Sequence, residues 1–239
     1  MNTSIIAPSV VSETEWVTAR KALLAKENEL LKLQEELNQE RQELPWVKVD
    51  KDYTFDTPEG KKKLADLFGT NSQLIVQHFM FAPGKKEGCV HCSFLADHID
   101  GALPHLQHHD VSVVVISRAP ISDIEPFRKR MGWNFSWVSS YGSDFNYDYH
   151  VSFKKADTVE YNYEMIDYAG EDLPGISIFA KDENGDVFHT YSTFSMGSEI
   201  VVNTLNFLSL TPKGKSNLTE GSVKYHDKYD NAPAHSCCH

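Results

Sequence analysis

Residues 73–94 read QLIVQHFMFAPGKKEGCVHCSF. The first nine form a nearly continuous apolar run of strand formers, the pattern of a central strand covered on both faces. Pro83 and Gly84 break the run, and two cysteines follow three positions apart with a histidine between them. A Cys-x-x-Cys that leaves a buried strand and opens a helix has a physical rationale. Cys89 then lies at the helix N-terminus, where backbone N–H groups and the helix dipole stabilise a thiolate. Cys92 lies one turn later, within reach to close a disulfide. Lys85 and Lys86 add positive charge just upstream, and a protonated His91 inside the ring-forming segment stabilises the thiolate further. Stabilising the reduced, ionised form makes the disulfide more oxidising. Cys89 is therefore assigned as nucleophile, Cys92 as resolving thiol and His91 as tuner of the Cys89 thiolate.

The segments around this stretch set the fold class. Downstream, a helix is expected through about His109, then VSVVVIS (111–117) as a second buried strand, ISDIEPFRKRMG as a helix and FSWVSS (135–140) as a third strand. That β-α-β-α-β order is the pattern of a mostly parallel sheet. The aromatic-rich stretch 141–174 reads as an excursion over the sheet. GISIFAKDENGDVFHTYSTF (175–194) reads as a hairpin turning at Glu183-Asn184-Gly185, and GSEIVVNTLNFLSL as a closing amphipathic helix from near Ser198. Pro174 stands immediately before that hairpin. It cannot donate to a ladder and is a candidate cis-proline.

Upstream, WVKVDKDYTFDTPEG reads as a short hairpin turning at Pro58-Glu59-Gly60, and KKLADLF as a helical turn. Residues 13–44 read as one long amphipathic helix. Ser12 and Glu15 form a capping box, Leu23, Leu30 and Leu37 recur every seven residues, and Pro45 stops the run. A helix of this length either packs on its own domain or pairs with a second copy, so a homodimer through the N-terminal helix is one expected partner. The boundaries that follow are a helical arm at 1–45, an α/β domain at 46–212 and a polar, loosely held tail at 213–239.

Composition narrows the function classes. The 239 residues carry a formal net charge of −11, which repels phosphate backbones and argues against nucleic acid. No apolar run reaches the ~20 residues that span a bilayer, so no membrane partner is expected. The N-terminal stretch lacks the basic and apolar regions of a secretory signal, so the expected compartment is the cytoplasm. There a close cysteine pair is more often catalytic or metal-binding than a structural disulfide.

All four cysteines fall in two tight pairs, Cys89/Cys92 and Cys237/Cys238. Zinc needs four ligands, and one Cys-x-x-Cys supplies two. With no second such motif, redox chemistry is preferred, with no metal and no organic cofactor. His98, His105 and His109 read as a solvated helix face, and His78 as a hydrogen-bonded core histidine. HSCCH (235–239) reads as an exposed end, with soft-metal binding or a redox relay as its alternatives. Arg118, at the carboxyl end of the second strand, either brings positive charge to the site or pairs with Asp144 or Asp148. Trp133, Trp137, Phe145, Tyr147 and Tyr149 read as core.

Buried strand, Cys-x-x-Cys, helix, strand, helix, then proline, hairpin and helix: this order resembles the thioredoxin superfamily. In that superfamily a cis-proline at the place of Pro174 faces the dithiol and helps hold an extended substrate. Several longer stretches resemble one group within it, the predicted dithiol-disulfide oxidoreductase family. They include RKALLAKENELLKLQEELNQERQELPWVKVDKDY, FMFAPGKKEGCVHCSF, DGALPHL, ISRAPISDIEPFRKRMGW, VSSYGSDFNYDY, HTYSTF, LNFLSLTPKG and YHDKY, and they run from about residue 16 to 230. The resemblance implies a thioredoxin-like α/β fold, with a mixed central sheet flanked by helices and a redox-type pair, and it implies no substrate. LADLFGTNSQLIVQHFMFAPGKKEGC is also similar to the lead-in of peroxiredoxins. There a Thr or Ser is expected three residues before the peroxidatic cysteine, and Lys86 takes that place before Cys89.

The expected function is thiol–disulfide exchange on a protein or small-molecule thiol or disulfide, with Cys89 attacking, Cys92 resolving and Pro174 shaping the substrate groove. The alternatives are a thiol peroxidase-like enzyme and a non-enzymatic metal- or partner-binding module.

Overall fold

A computed structural model describes residues 8–154, 158–215, 218 and 221–229. The chain divides at Pro45 into two units, 1–45 and 46–239.

The first unit is α1 (Glu13–Gln42). It starts on a capping box: Ser12 Oγ accepts the Glu15 N–H at 3.3 Å, and the Glu15 carboxylate accepts the Ser12 N–H at 3.0 Å. Leu23, Leu30 and Leu37 are exposed, as are Leu24, Leu31 and Leu33. At 3.6 residues per turn these six spread over about half the circumference, a broader face than a seven-residue seam.

The second unit is built on an eight-stranded sheet. In chain order its elements are β1 (Val47–Lys48), β2 (Thr54–Thr57), β3 (Gly60–Lys63), β4 (Gln73–His78), α2 (Val90–Ala96), α3 (Leu103–His108), β5 (Val111–Ser117), α4 (Ile121–Met131), β6 (Ser136–Ser139) and α5 (Phe145–Asp148). A separate hairpin of β7 (Thr158–Tyr161) and β8 (Glu164–Asp167) follows. Then come β9 (Gly175–Lys181), β10 (Val187–Phe194) and α6 (Asn203–Ser209). The strand order is β1-β10-β9-β4-β5-β6-β2-β3. β4 pairs parallel with β5 and antiparallel with β9, and β5 pairs parallel with β6. A parallel β-α-β-α-β run with an antiparallel hairpin added beside its first strand is the thioredoxin-like arrangement.

β4 is central because both its faces are covered, as its unbroken apolar run requires. Leu74 and Val76 pack with Phe55, Phe68, Phe145 and Phe179 on one side. On the other, Phe79 continues the strand into a cluster with Cys92, Ala96, Ile124, Phe127 and Trp137. His78 is a core histidine with a partner: its Nε2 lies 2.8 Å from Ser177 Oγ, which lies 2.8 Å from Ser192 Oγ. Burial drives its pKa down to about 3, so the ring is neutral.

Three elements differ from the sequence reading. The helix after the dithiol stops at Ala96 and restarts at Leu103. Between them the Asp100 carboxylate turns away to accept the N–H groups of Asn134 at 2.8 Å and Phe135 at 3.0 Å, and Pro104 opens the second piece. The closing helix is likewise split, into a 3-10 stretch Ser195–Val201 and α6, because the buried Val202 takes a non-helical conformation (φ −97°, ψ 86°). Residues 225–227 of the tail, read as loosely held, are bonded into the domain. HSCCH lies outside the described residues.

Gly175 pairs with His78 across β4 and β9, and a Cβ there would lie 2.7 Å from Phe194 Cδ1 and 3.2 Å from Val151 Cγ1. Gly175→Ala is expected to destabilise the protein by about 2 kcal/mol through overpacking. A urea-denaturation midpoint equal to that of wild type would contradict this.

Candidate active site

The two cysteines are placed by one residue at the end of β4. The Met80 carbonyl accepts the Cys89 N–H at 2.9 Å. The Met80 N–H donates to Cys92 Sγ at 3.5 Å. Cys89 is the N-cap of α2 and is half-buried, whereas Cys92, one turn in, is 3% exposed. Gln77 Nε2 holds the Cys92 carbonyl at 3.0 Å, and Ser93 Oγ donates to the Cys89 carbonyl at 2.9 Å. Gly88 has to be a glycine, since a Cβ would stand 2.4 Å from the Phe79 ring.

This geometry splits the acidities of the two thiols. Cys92 S–H donates to Cys89 Sγ, the backbone N–H groups of Cys92 and His91 donate to the same sulfur, and the His91 charge adds to them. Together they outweigh burial and bring the Cys89 pKa down to about 6. The same hydrogen bond, with burial and then the Cys89 and Asp172 charges, pushes Cys92 well above the ordinary thiol range. Cys89 is thus a thiolate at neutral pH and Cys92 a thiol. The stabilisation comes chiefly from the second cysteine and the backbone. Lys85 and Lys86 are exposed loop residues, and the His91 charge makes the smallest contribution to lowering the Cys89 pKa.

Cys89, His91, Cys92 and Pro174 line one cavity of about 730 Å³, with Met80, Phe94 and Met196 among its apolar walls. A second cavity of about 700 Å³ lies on the other side of Cys89, bounded by Lys85, Glu87, Tyr168 and Glu171. Among the described residues every peptide bond is trans, Leu173–Pro174 included, which corrects the expectation of a cis-proline. Trans is the ordinary state of an X–Pro bond, and flanking hydrogen bonds hold the segment in it. Leu173 N–H donates to the Val151 carbonyl at 3.0 Å, and Tyr161 Oη donates to the Pro174 carbonyl at 2.7 Å.

Arg118 pairs with neither Asp144 nor Asp148, which both bind Lys51. Its Nε and Nη2 hold the two carboxylate oxygens of Asp172 at 2.7 and 2.9 Å, and Ser152 Oγ donates to Asp172 at 2.6 Å. Both partners are largely buried. Sequence reading missed Asp172, whose signal was an acidic residue two positions before Pro174. It also missed Met80, which acts through its backbone and carries no side-chain signal. His98 is no solvated residue: its Nδ1 lies 2.7 Å from the Phe94 carbonyl, and Thr204 N–H donates to its Nε2 at 3.1 Å, tying α2 to α6. Among the described residues no group of three His, Cys, Asp or Glu is arranged to hold a metal, and no helix is long and apolar enough to cross a membrane.

A family model described as "Bacterial protein of unknown function (DUF899)" matches residues 5–229. The chain belongs to that family. No curated protein matches the sequence. Among solved structures, this DUF899 protein is similar to peroxidoxin BcpB from Mycobacterium tuberculosis, at 13% identity over 67% of this chain and 92% of that one, with a TM-score of 0.45. It is also similar to peroxiredoxin Q from Xanthomonas campestris, at 11% identity over 67% and 91% of the two chains, with a TM-score of 0.43.

The acidity split in this DUF899 protein is directly measurable. Alkylation of Cys89, followed on its own peptide by mass spectrometry, is expected to rise with pH through a midpoint near 6, below the ~8.5 of a free thiol. Cys92→Ala removes the donor and moves that midpoint upward; an unmoved midpoint would exclude Cys92 as the cause. Arg118→Met leaves the Asp172 carboxylate unpaired and is expected to destabilise the protein by roughly 3 kcal/mol in chemical denaturation. Wild-type stability in that variant would contradict the assigned pair.

Proposed function

We propose that this protein catalyses thiol–disulfide exchange through Cys89 and Cys92. One observation carries the reading: Cys89 caps the dithiol helix half-buried, Cys92 lies buried one turn in, and both line one open cavity. The Cys89 thiolate attacks one sulfur of a substrate disulfide. The substrate S–S bond breaks, its second sulfur leaves as a thiolate, and Cys89 is joined to the first sulfur in a mixed disulfide. Cys92 has then lost the thiolate that accepted its hydrogen bond, and its proton passes to the departing thiolate. The Cys92 sulfur attacks Cys89 Sγ, the mixed disulfide breaks, and the first substrate sulfur leaves as a thiolate that takes its proton from water, leaving a Cys89–Cys92 disulfide. Two electrons move from protein to substrate. The reverse sequence oxidises a substrate dithiol.

Pro174 lines the cavity beside both sulfurs and shapes the approach of a protein or small-molecule disulfide. His91 supports the thiolate. These steps call on no metal and no organic cofactor, only an external thiol or disulfide. This reading agrees with the resemblance to dithiol-disulfide oxidoreductases.

One feature favours exchange over peroxide reduction. Lys86 stands where a hydroxyl would support a peroxidatic cysteine. Insulin reduction by dithiothreitol tests the proposal. The wild-type protein is expected to accelerate the turbidity rise, and Cys89→Ser to return it to the uncatalysed rate. Equal rates for the two would remove the assignment.

A further inference from the structure

The stretch YHDKY (225–229) takes no part in the exchange steps, yet Tyr225 and His226 bond the residues flanking the two ends of the dithiol helix, and Asp227 bonds Arg130 beside it. Tyr225 Oη donates to the Gly88 carbonyl at 2.6 Å, on the residue directly before Cys89. The Tyr225 ring meets Phe127 edge-on at 5.7 Å, and the Arg130 guanidinium lies 5.0 Å from both ring centroids. Arg130 Nε pairs with Asp227 at 3.1 Å, and the same guanidinium pairs with Glu87. At the far end of α2, His226 Nδ1 lies 2.6 Å from Asp97 Oδ1, which also accepts Trp133 Nε1–H at 2.8 Å.

The Gly88–Cys89 peptide is the one that matters. It is a rigid plane with a carbonyl at one end and an N–H at the other. The Cys89 N–H is held by Met80 and the Gly88 carbonyl by Tyr225, so both ends are fixed. The plane therefore cannot turn, although glycine would otherwise permit it. That plane sets the backbone from which Cys89 presents its sulfur. The phenol also donates to an oxygen that would otherwise stand as a bare negative dipole end one residue from the thiolate. Burial, and after it the Glu87 charge, raises the Tyr225 pKa, with the Cys89 charge adding a smaller part, so the hydroxyl keeps its proton.

We propose that Tyr225 is a positioning residue of the dithiol: by holding the Gly88 carbonyl from the C-terminal segment, it fixes the orientation in which Cys89 is presented for attack. This rests on the exchange reading. The test is Tyr225→Phe in the full-length chain, which keeps the ring packing on Phe127 and Arg130 and removes only the hydroxyl. The pH midpoint of Cys89 alkylation, read on its own peptide, is expected to rise by about half a unit or more, the size of one lost hydrogen bond. Insulin reduction at neutral pH is expected to fall severalfold.

A lowered melting temperature with an unmoved Cys89 midpoint would overturn the proposal and leave Tyr225 a structural clamp. Should Tyr225→Phe fail to fold, Asp227→Asn loosens the Arg130 tether while keeping the phenol. It is then expected to move the midpoint upward by a smaller amount, and no movement would again overturn the proposal. Failure of the exchange reading looks different: wild type itself would not accelerate insulin reduction.

Discussion

The burial of Cys92 beside Cys89 sets the two thiols apart in acidity. Cys92 is closed off from solvent, and its hydrogen bond to the sulfur of Cys89 raises its own pKa and lowers that of Cys89. In the low dielectric of the sheet's upper end such a bond is stronger than in water. The backbone N–H groups of Cys92 and His91, and then the His91 charge, reinforce it. The two cysteines are chemically identical in sequence and opposite in acidity in the fold. In the exchange we propose, that asymmetry sets Cys89 to attack and Cys92 to wait.

The rest of the domain holds this pair in place. Met80, two residues past the end of β4, reaches the dithiol with both its N–H and its carbonyl. The aromatic cluster of Phe79, Phe127, Trp133 and Trp137 closes the space behind Cys92. The Arg118–Asp172 pair anchors the segment that carries Pro174 to the neighbouring strand, and its carboxylate adds to the field that keeps Cys92 protonated. Stability and reactivity share these contacts, so a substitution in the core behind α2 acts on both.

Much of this was legible because it is local. QLIVQHFMF and VSVVVIS are continuous strand-forming runs, Asn184-Gly185 is a hairpin turn, and Ser12 with Glu15 caps a helix by its own side chains. What was not legible depends on distant partners. The break between α2 and α3 follows from Asp100 turning to backbone N–H groups at 134 and 135. Arg118 pairs with Asp172, 54 residues away, and not with Asp144 or Asp148, which bind Lys51. The segment 225–229 is polar in composition and reads as a loose tail, yet Tyr225 and Asp227 hold it against Gly88 and Arg130. Pro174 lines the cavity that Cys89 and Cys92 share, and its trans geometry carries no mark in the sequence.

The reduction potential of the Cys89/Cys92 couple tests the central claim most directly, because stabilising the Cys89 thiolate stabilises the reduced form and must appear as an oxidising shift. Equilibration of the full-length protein against glutathione or dithiothreitol buffers, with trapping of free thiols, gives that value. The account predicts a potential above the ~−270 mV of thioredoxin and towards the ~−180 mV of protein disulfide isomerase. A value at or below that of thioredoxin, or two thiols that form no reversible disulfide, would contradict it.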